Sequence, residues 1–223
     1  MKKLLASVAT AAIAATLPLQ AFAVDTVSWT TWANTNAGSF TQNSQNVNVS
    51  YTGDVAGLLN WNALYNVPAS FTNAAVTNTP TAVNGTLQMV GGHPTVLNTF
   101  HFDKAVIDPV MVLFSVGQGG VPVQFQFTGN VNFTIGAQGS GNWGGGTLTQ
   151  TGNTVTGYEG NGLLQFKGSY TDISFYTPNY ENYYGATVGA MTAAVPEPET
   201  YALMLGGLAA LGFMARRRSG QQS

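Results

Sequence analysis

Apolar and polar residues alternate along several short stretches of the chain. The alternation is clearest at 47–51, 121–127 and 131–135. A period of two residues predicts β-strands with one buried and one exposed face. Further strands are predicted at 27–32, 85–90, 99–102, 110–116, 147–150, 154–158, 163–167 and 172–176. We therefore expect an all-β fold, built as an antiparallel β-sandwich or a jelly roll.

The segments between these strands are rich in glycine, asparagine and proline. Thr128, Gly129 and Asn130 separate two alternating stretches, and this short spacing predicts a β-hairpin. The sequence predicts a turn or a short helix at residues 55–65 and a long loop at residues 69–84. The stretch 136–146 contains six glycines, which is typical of a loop over one end of a sandwich or of a plain linker turn.

Charged side chains are scarce between residues 24 and 194. This body has two lysines and seven acidic residues, so its net charge is −5. Because it has no basic patch to neutralise phosphates, the composition excludes a nucleic acid partner. The chain contains no cysteine, so disulfides, cysteine-ligated metals and thiol nucleophiles are also excluded. Stability must come from packing and sheet hydrogen bonds.

The N-terminus has the three regions of a secretory signal. Lys2 and Lys3 are followed by an apolar run at 4–19, and Ala21 and Ala23 form a small-x-small cleavage site. Residues 1–23 therefore predict a signal peptide that the Sec export machinery would use. The mature domain would occupy residues 24–194, which suits one domain with a sizeable core.

The C-terminal tail, residues 195–218, also has three parts in order. Pro196, Glu197 and Pro198 form a stiff element, residues 201–215 are uncharged and largely apolar, and Arg216, Arg217 and Arg218 follow. The apolar run predicts a single membrane helix, although it is shorter than the ~20 residues that usually span a bilayer. By the positive-inside rule the arginines stay cytoplasmic and the body lies on the outer side. Residues 219–223 form a short polar end.

This tail resembles the PEP-CTERM sorting signal of Gram-negative bacteria, and the resemblance is limited to the tail. It implies that an exosortase, a membrane enzyme, recognises Pro196, Glu197 and Pro198 and processes the exported protein after a transient stay in the inner membrane. The family tends to occur in bacteria that make extracellular polysaccharide. The resemblance therefore implies a final location at the cell surface or in the extracellular matrix.

The body offers few residues for catalysis, and we name no catalytic residue and no cofactor. Its serines lack the Gly-x-Ser-x-Gly context of a nucleophile elbow. His101 and Asp103 would share one strand face and could hold a metal ion, but no third ligand is evident, so we predict no metal site. Glu159 and Glu181 are the carboxylates that a glycan hydrolase would use. The sequence does not place them together.

Aromatic residues give the better binding hypothesis. Tyr180, Tyr183 and Tyr184 cluster beside amide and carboxylate groups, and Trp143 adds a fourth ring in the glycine-rich stretch. Such rings suit a sugar-binding surface, although aromatic residues in a sandwich more often pack in the core or at an edge. We expect an exported, noncatalytic surface or matrix protein that contacts polysaccharide. A secreted glycan hydrolase and a structural protein that self-associates through sheet edges are the alternatives.

Native protein recovered separately from membrane, cell surface and culture medium tests this processing. We expect intact mass spectrometry to give a chain that begins near Val24 and ends near Pro196, because both signals are removed. A mass that retains residues 201–218 would make the chain a membrane-anchored periplasmic protein and would contradict the matrix location.

Overall fold

The computed structural model describes residues 26–192 and 204–211. The predicted signal peptide with Ala21 and Ala23, the Pro196–Pro198 element and the Arg216–Arg218 stop lie outside the described residues. Residues 204–211, inside the predicted membrane helix, are α-helical. In this described part of the chain, no helix combines the length and the hydrophobicity needed to cross a membrane.

The described body consists of short strands and two 3₁₀ turns, Asn62–Tyr65 and Pro68–Ser70. The strands are β1 (Thr26–Trp29), β2 (Thr31–Trp32), β3 (Ala37–Gln42), β4 (Gln45–Thr52), β5 (Gly57–Leu59), β6 (Thr86–Gly91), β7 (Asn98–Ile107), β8 (Pro109–Val116), β9 (Val123–Phe127), β10 (Phe133–Gly139), β11 (Leu148–Thr151), β12 (Thr154–Gly157), β13 (Gly160–Phe166), β14 (Ser169–Tyr176) and β15 (Tyr180–Thr192).

These strands form two antiparallel sheets. The first sheet has the order β10-β13-β8-β15-β6-β5, and β1 also pairs with β15. The second sheet has the order β11-β12-β9-β14-β7-β4-β3-β2. Buried side chains from both sheets form one continuous cluster between them. The predicted all-β sandwich is confirmed.

Aromatic side chains dominate the core between the sheets. Phe125 lies in the second sheet. Its ring centroid is 5.0 Å from that of Phe175 in the same sheet and 5.6 Å from that of Tyr184 in the first sheet. Each such side chain contributes about 1.5–3 kcal/mol when it leaves water. The strands with the clearest alternation have the expected pattern, since Val47, Val49 and Tyr51 of β4 are buried and their neighbours are exposed.

A second hydrophobic layer covers the outer face of the first sheet. β8 is buried along its whole length. Met111 and Leu113 face the sandwich core, whereas Phe114 faces the long loop that precedes β6. Tyr65 of this loop lies 6.3 Å from Phe114 between ring centroids. The loop therefore acts as a packed cover, and Phe114 is positioned close to the end of the sheet.

The predicted hairpin around Gly129 is wrong. β9 pairs with β12 and β14 in the second sheet, whereas β10 pairs with β13 in the first. Phe127 and Phe133 flank the connection, both are buried, and their ring centroids lie 4.8 Å apart. The two rings meet between the sheets from opposite sides, because the chain crosses from one sheet to the other at this connection.

The sequence prediction also missed β15, the longest strand. Its C-terminal half contains mostly small residues, which do not produce an alternating pattern. The structure shows why they are small. A Cβ atom at Gly189 would lie 2.6 Å from the carbonyl oxygen of Ser28, and one at Gly185 would lie 2.8 Å from Thr86. β15 is crowded by its neighbours because it pairs with β1, β6 and β8.

Replacing the buried Asn98 with alanine tests the polar link at one end of this core. Its Oδ1 accepts hydrogen bonds from the Tyr51 hydroxyl (2.7 Å) and the Asp54 N–H (2.8 Å), and its Nδ2 donates to Thr177 (3.2 Å). Because the variant leaves these groups unpaired, we expect the free energy of unfolding to fall by roughly 2–4 kcal/mol in urea denaturation. The exposed control Asn46→Ala should change it by less than about 0.5 kcal/mol. Equal effects would contradict the role of this network.

Candidate ligand-binding site

A pocket of about 440 Å³ opens at one end of the sandwich. It lies where β8 ends and where β13 and β15 begin, beside the glycine-rich loop. The residues that line it are Trp61, Ser115, Gly117, Gln118, Trp143, Glu159, Glu181, Asn182 and Tyr183. Three aromatic rings and two carboxylates thus meet in one cavity, although they come from distant parts of the sequence.

Trp61, Trp143 and Tyr183 form the aromatic wall of this pocket. The Trp61 and Tyr183 rings are stacked, with centroids 5.9 Å apart. Trp143 meets both rings edge-on, at 5.4 and 5.1 Å. Phe114 lies 5.4 Å from Trp143 and supports it from the sheet. Trp61 and Trp143 are 44% and 37% exposed, so this wall keeps accessible ring surface.

The predicted tyrosine cluster divides between three environments. Tyr183 lines the pocket, whereas Tyr184 is fully buried in the sandwich core. The prediction that Tyr184 contacts a glycan is therefore wrong, because successive side chains of a strand point to opposite faces. Tyr180 is 61% exposed but does not line the pocket, and its hydroxyl donates to Oδ1 of Asn182.

Glu181 is the most buried carboxylate of the pocket, with only 3% of the residue exposed. Its Oε2 accepts a hydrogen bond of 2.9 Å from the Gly117 N–H, and the carboxylate also accepts from the Tyr183 N–H. Burial raises the pKa of Glu181 to about 7, and the nearby charge of Glu159 also raises it. The hydrogen bonds from the two N–H groups lower this pKa but do not cancel the rise. Glu181 therefore changes its charge near neutral pH.

Glu159 is held in place by a strained backbone and by the glycine-rich loop. Its φ is 61°, in the left-handed region that non-glycine residues rarely adopt. A Cβ atom at Gly144 would lie only 2.2 Å from the Cβ of Glu159, so the loop must have glycine at this position. The glycine-rich stretch is thus a closely packed wall of the pocket rather than a plain linker.

Asn161 links the strands beneath the pocket. The pairing of β8 with β13 contains a bulge between Gly160 and Gly162, and Ser115 lies there with a φ of 52°. The fully buried Asn161 accepts the Ser115 N–H at 2.9 Å and donates more weakly to the carbonyl oxygens of Glu159 (3.4 Å) and Trp143 (3.5 Å). Bulges often redirect chains beside functional sites. No sequence pattern marked Asn161 for this role.

His101 and Asp103 do not form a shared site. Nδ1 of His101 lies 2.8 Å from Oδ1 of Asp172, whereas Asp103 accepts from the backbone and side chain of Asn48 at 2.9 and 2.7 Å. No group of three or more His, Asp or Glu side chains suited to a metal ion occurs within the described residues.

The pocket and the exit of the chain lie at opposite ends of the sandwich. Glu181 is at the start of β15 and Thr192 is its last residue. At about 3.3 Å per residue, this separation is about 36 Å along the strand. A second pocket, of about 550 Å³, lies at the exit end and is lined in part by Lys167, Met191 and Thr192.

The fold and the pocket define a β-sandwich body with an end-on cavity, followed by a sorting tail. A family model for the PEP-CTERM protein-sorting motif matches residues 194–218. The tail is thus that of an exosortase-targeted protein, and the chain is exported to the cell surface. Comparison with curated proteins and with solved structures gave no match.

Glu181→Gln tests the raised pKa through the pH dependence of stability. The folded protein holds the Glu181 proton more tightly than the unfolded chain, so the free energy of unfolding should fall as pH rises from about 4.5 to about 7. We expect this fall to be on the order of 2 kcal/mol and to be absent in Glu181→Gln, measured by urea denaturation at several pH values. The exposed control Asn46→Ala, which removes no titratable group, should keep it. A variant with the full wild-type pH dependence would contradict the assignment.

Proposed function

We propose that this exported protein binds extracellular polysaccharide in the end pocket and does not cleave it. One observation carries the proposal: the partly exposed aromatic wall and two carboxylates line the same cavity. Sugar rings have apolar faces that stack on aromatic side chains and hydroxyl groups that donate to carboxylates. The pocket supplies both kinds of contact.

The position of the pocket supports binding at the surface. The sorting motif begins two residues after Thr192, at the end of the sandwich away from the pocket. A protein held through its tail would therefore present the pocket away from the point of attachment. A polymer could reach the aromatic wall both before and after exosortase processing.

A specific observation favours a second candidate, a glycan hydrolase. Glu159 and Glu181 share the pocket, and a carboxyl group with a pKa of about 7 holds a proton near neutral pH, as a general acid does. However, the Glu181 carboxylate accepts the N–H groups of Gly117 and Tyr183 and is almost fully buried. These hydrogen bonds and the burial fix the Glu181 carboxylate against the strands, which is why we favour binding without cleavage.

Affinity electrophoresis of the purified full chain tests the proposal, in gels that contain extracellular polysaccharide from the producing bacterium. We expect retardation of the wild type and a dissociation constant about ten-fold higher for Trp61→Ala, because the variant removes an exposed part of the aromatic wall. The matched control Tyr176→Ala removes a half-buried ring from the second sheet, outside the pocket, and should bind like the wild type.

Two results would contradict this proposal. Migration that is unaffected by the polysaccharide would remove the binding function. Release of reducing ends from the same polysaccharide, abolished by Glu181→Gln, would show the hydrolase instead.

A further inference from the structure

We propose that the polysaccharide bound in the end pocket carries ammonium groups, as a partly de-N-acetylated amino-sugar polymer does. This inference rests on the proposed function and specifies its ligand. It starts from the charges in the pocket, where Glu159 and Glu181 are both present and no basic side chain lines the cavity.

The two carboxylates have no cationic partner within the described residues. The two ion pairs found there join His93 to Asp54 and His101 to Asp172. Of the two lysines in this part of the chain, Lys167 lines the pocket at the opposite end and Lys104 donates to the carbonyl oxygen of Asn46. The negative charge of the pocket, carried by Glu159 and, once it has lost its proton, by Glu181, must therefore be balanced by solvent ions or by a ligand.

The aromatic wall favours an organic cation as that ligand. A cation near the face of a tryptophan or tyrosine ring is attracted by the ring quadrupole, and the attraction increases when water is excluded. Trp61, Trp143 and Tyr183 supply these rings next to the carboxylates. A hard metal ion prefers more oxygen ligands than the two carboxylates provide. An ammonium group on a sugar ring can use the Glu159 carboxylate and the rings together.

The net negative charge of the whole body also favours a positively charged polymer. Residues 24–194 have a net charge of −5, and a polymer with many ammonium groups would be attracted before it reaches the pocket. A neutral polymer would gain only the ring stacking and hydroxyl contacts, and it would leave Glu159 without a counter-charge.

Calorimetric titration of the purified full chain with three hexasaccharides tests the inference. The probes are the hexamers of glucosamine, of N-acetylglucosamine and of glucose, used at about pH 5.5, which keeps the amino groups of the glucosamine hexamer protonated. We expect the glucosamine hexamer to bind at least about ten-fold more tightly than the other two. Glu159→Gln should remove most of this preference, because its side chain is not buried like that of Glu181 and its loss leaves the core intact.

The control Asp172→Asn removes one negative charge from the outer face of the second sheet and should keep the preference. If the control loses it as strongly as Glu159→Gln does, the attraction is a property of the whole surface and the inference is wrong. Equal binding of all three hexamers would also overturn it, while the proposed polysaccharide function would stand. Binding of none of them, together with no retardation by the native polysaccharide, would overturn both.

Discussion

The pairing of β8 with β15 is the constraint on which the rest of the structure depends. β8 is buried on both faces, so one row of its side chains fills the sandwich and the other supports the outer layer. β15 lies beside it in continuous register from Gly185 to Ala190. Because the two strands are antiparallel, the end of β8 meets the start of β15. The pocket opens at this junction, where Gly117 donates to Glu181.

Two opposing energies act on the carboxylate at this junction. Removing a charged group from water is costly, and burial is the larger influence on Glu181. Two backbone N–H groups reduce the cost without abolishing it. Strain is stored close by, since Ser115 and Glu159 both adopt left-handed backbone conformations. Irregular backbone, strain and an incompletely compensated acid occur together at this junction, a combination that is typical of a functional site.

The alternating strands could be predicted from the sequence because their β-branched and aromatic residues mark one face directly. β15 could not, because its glycines and alanines reflect crowding by three neighbouring strands rather than a buried and an exposed face. Because this strand was missed, Tyr184 was assigned the wrong environment. Neighbouring residues of a strand face opposite sides, so a strand at this position would have placed Tyr183 and Tyr184 on different faces. The meeting of Glu159 with Glu181 depends on long-range pairing of β13, β8 and β15. No local pattern encodes that pairing.

β15 also connects the two functional ends of the body. Its first residues carry Glu181 and Tyr183 into the pocket, and its last residue leads towards the sorting motif. A strand paired on both sides along its central part cannot bend freely, so the distance between pocket and tail is fixed by the sheet. Because β15 spans the sheet between them, the pocket faces away from the end at which the sorting tail begins.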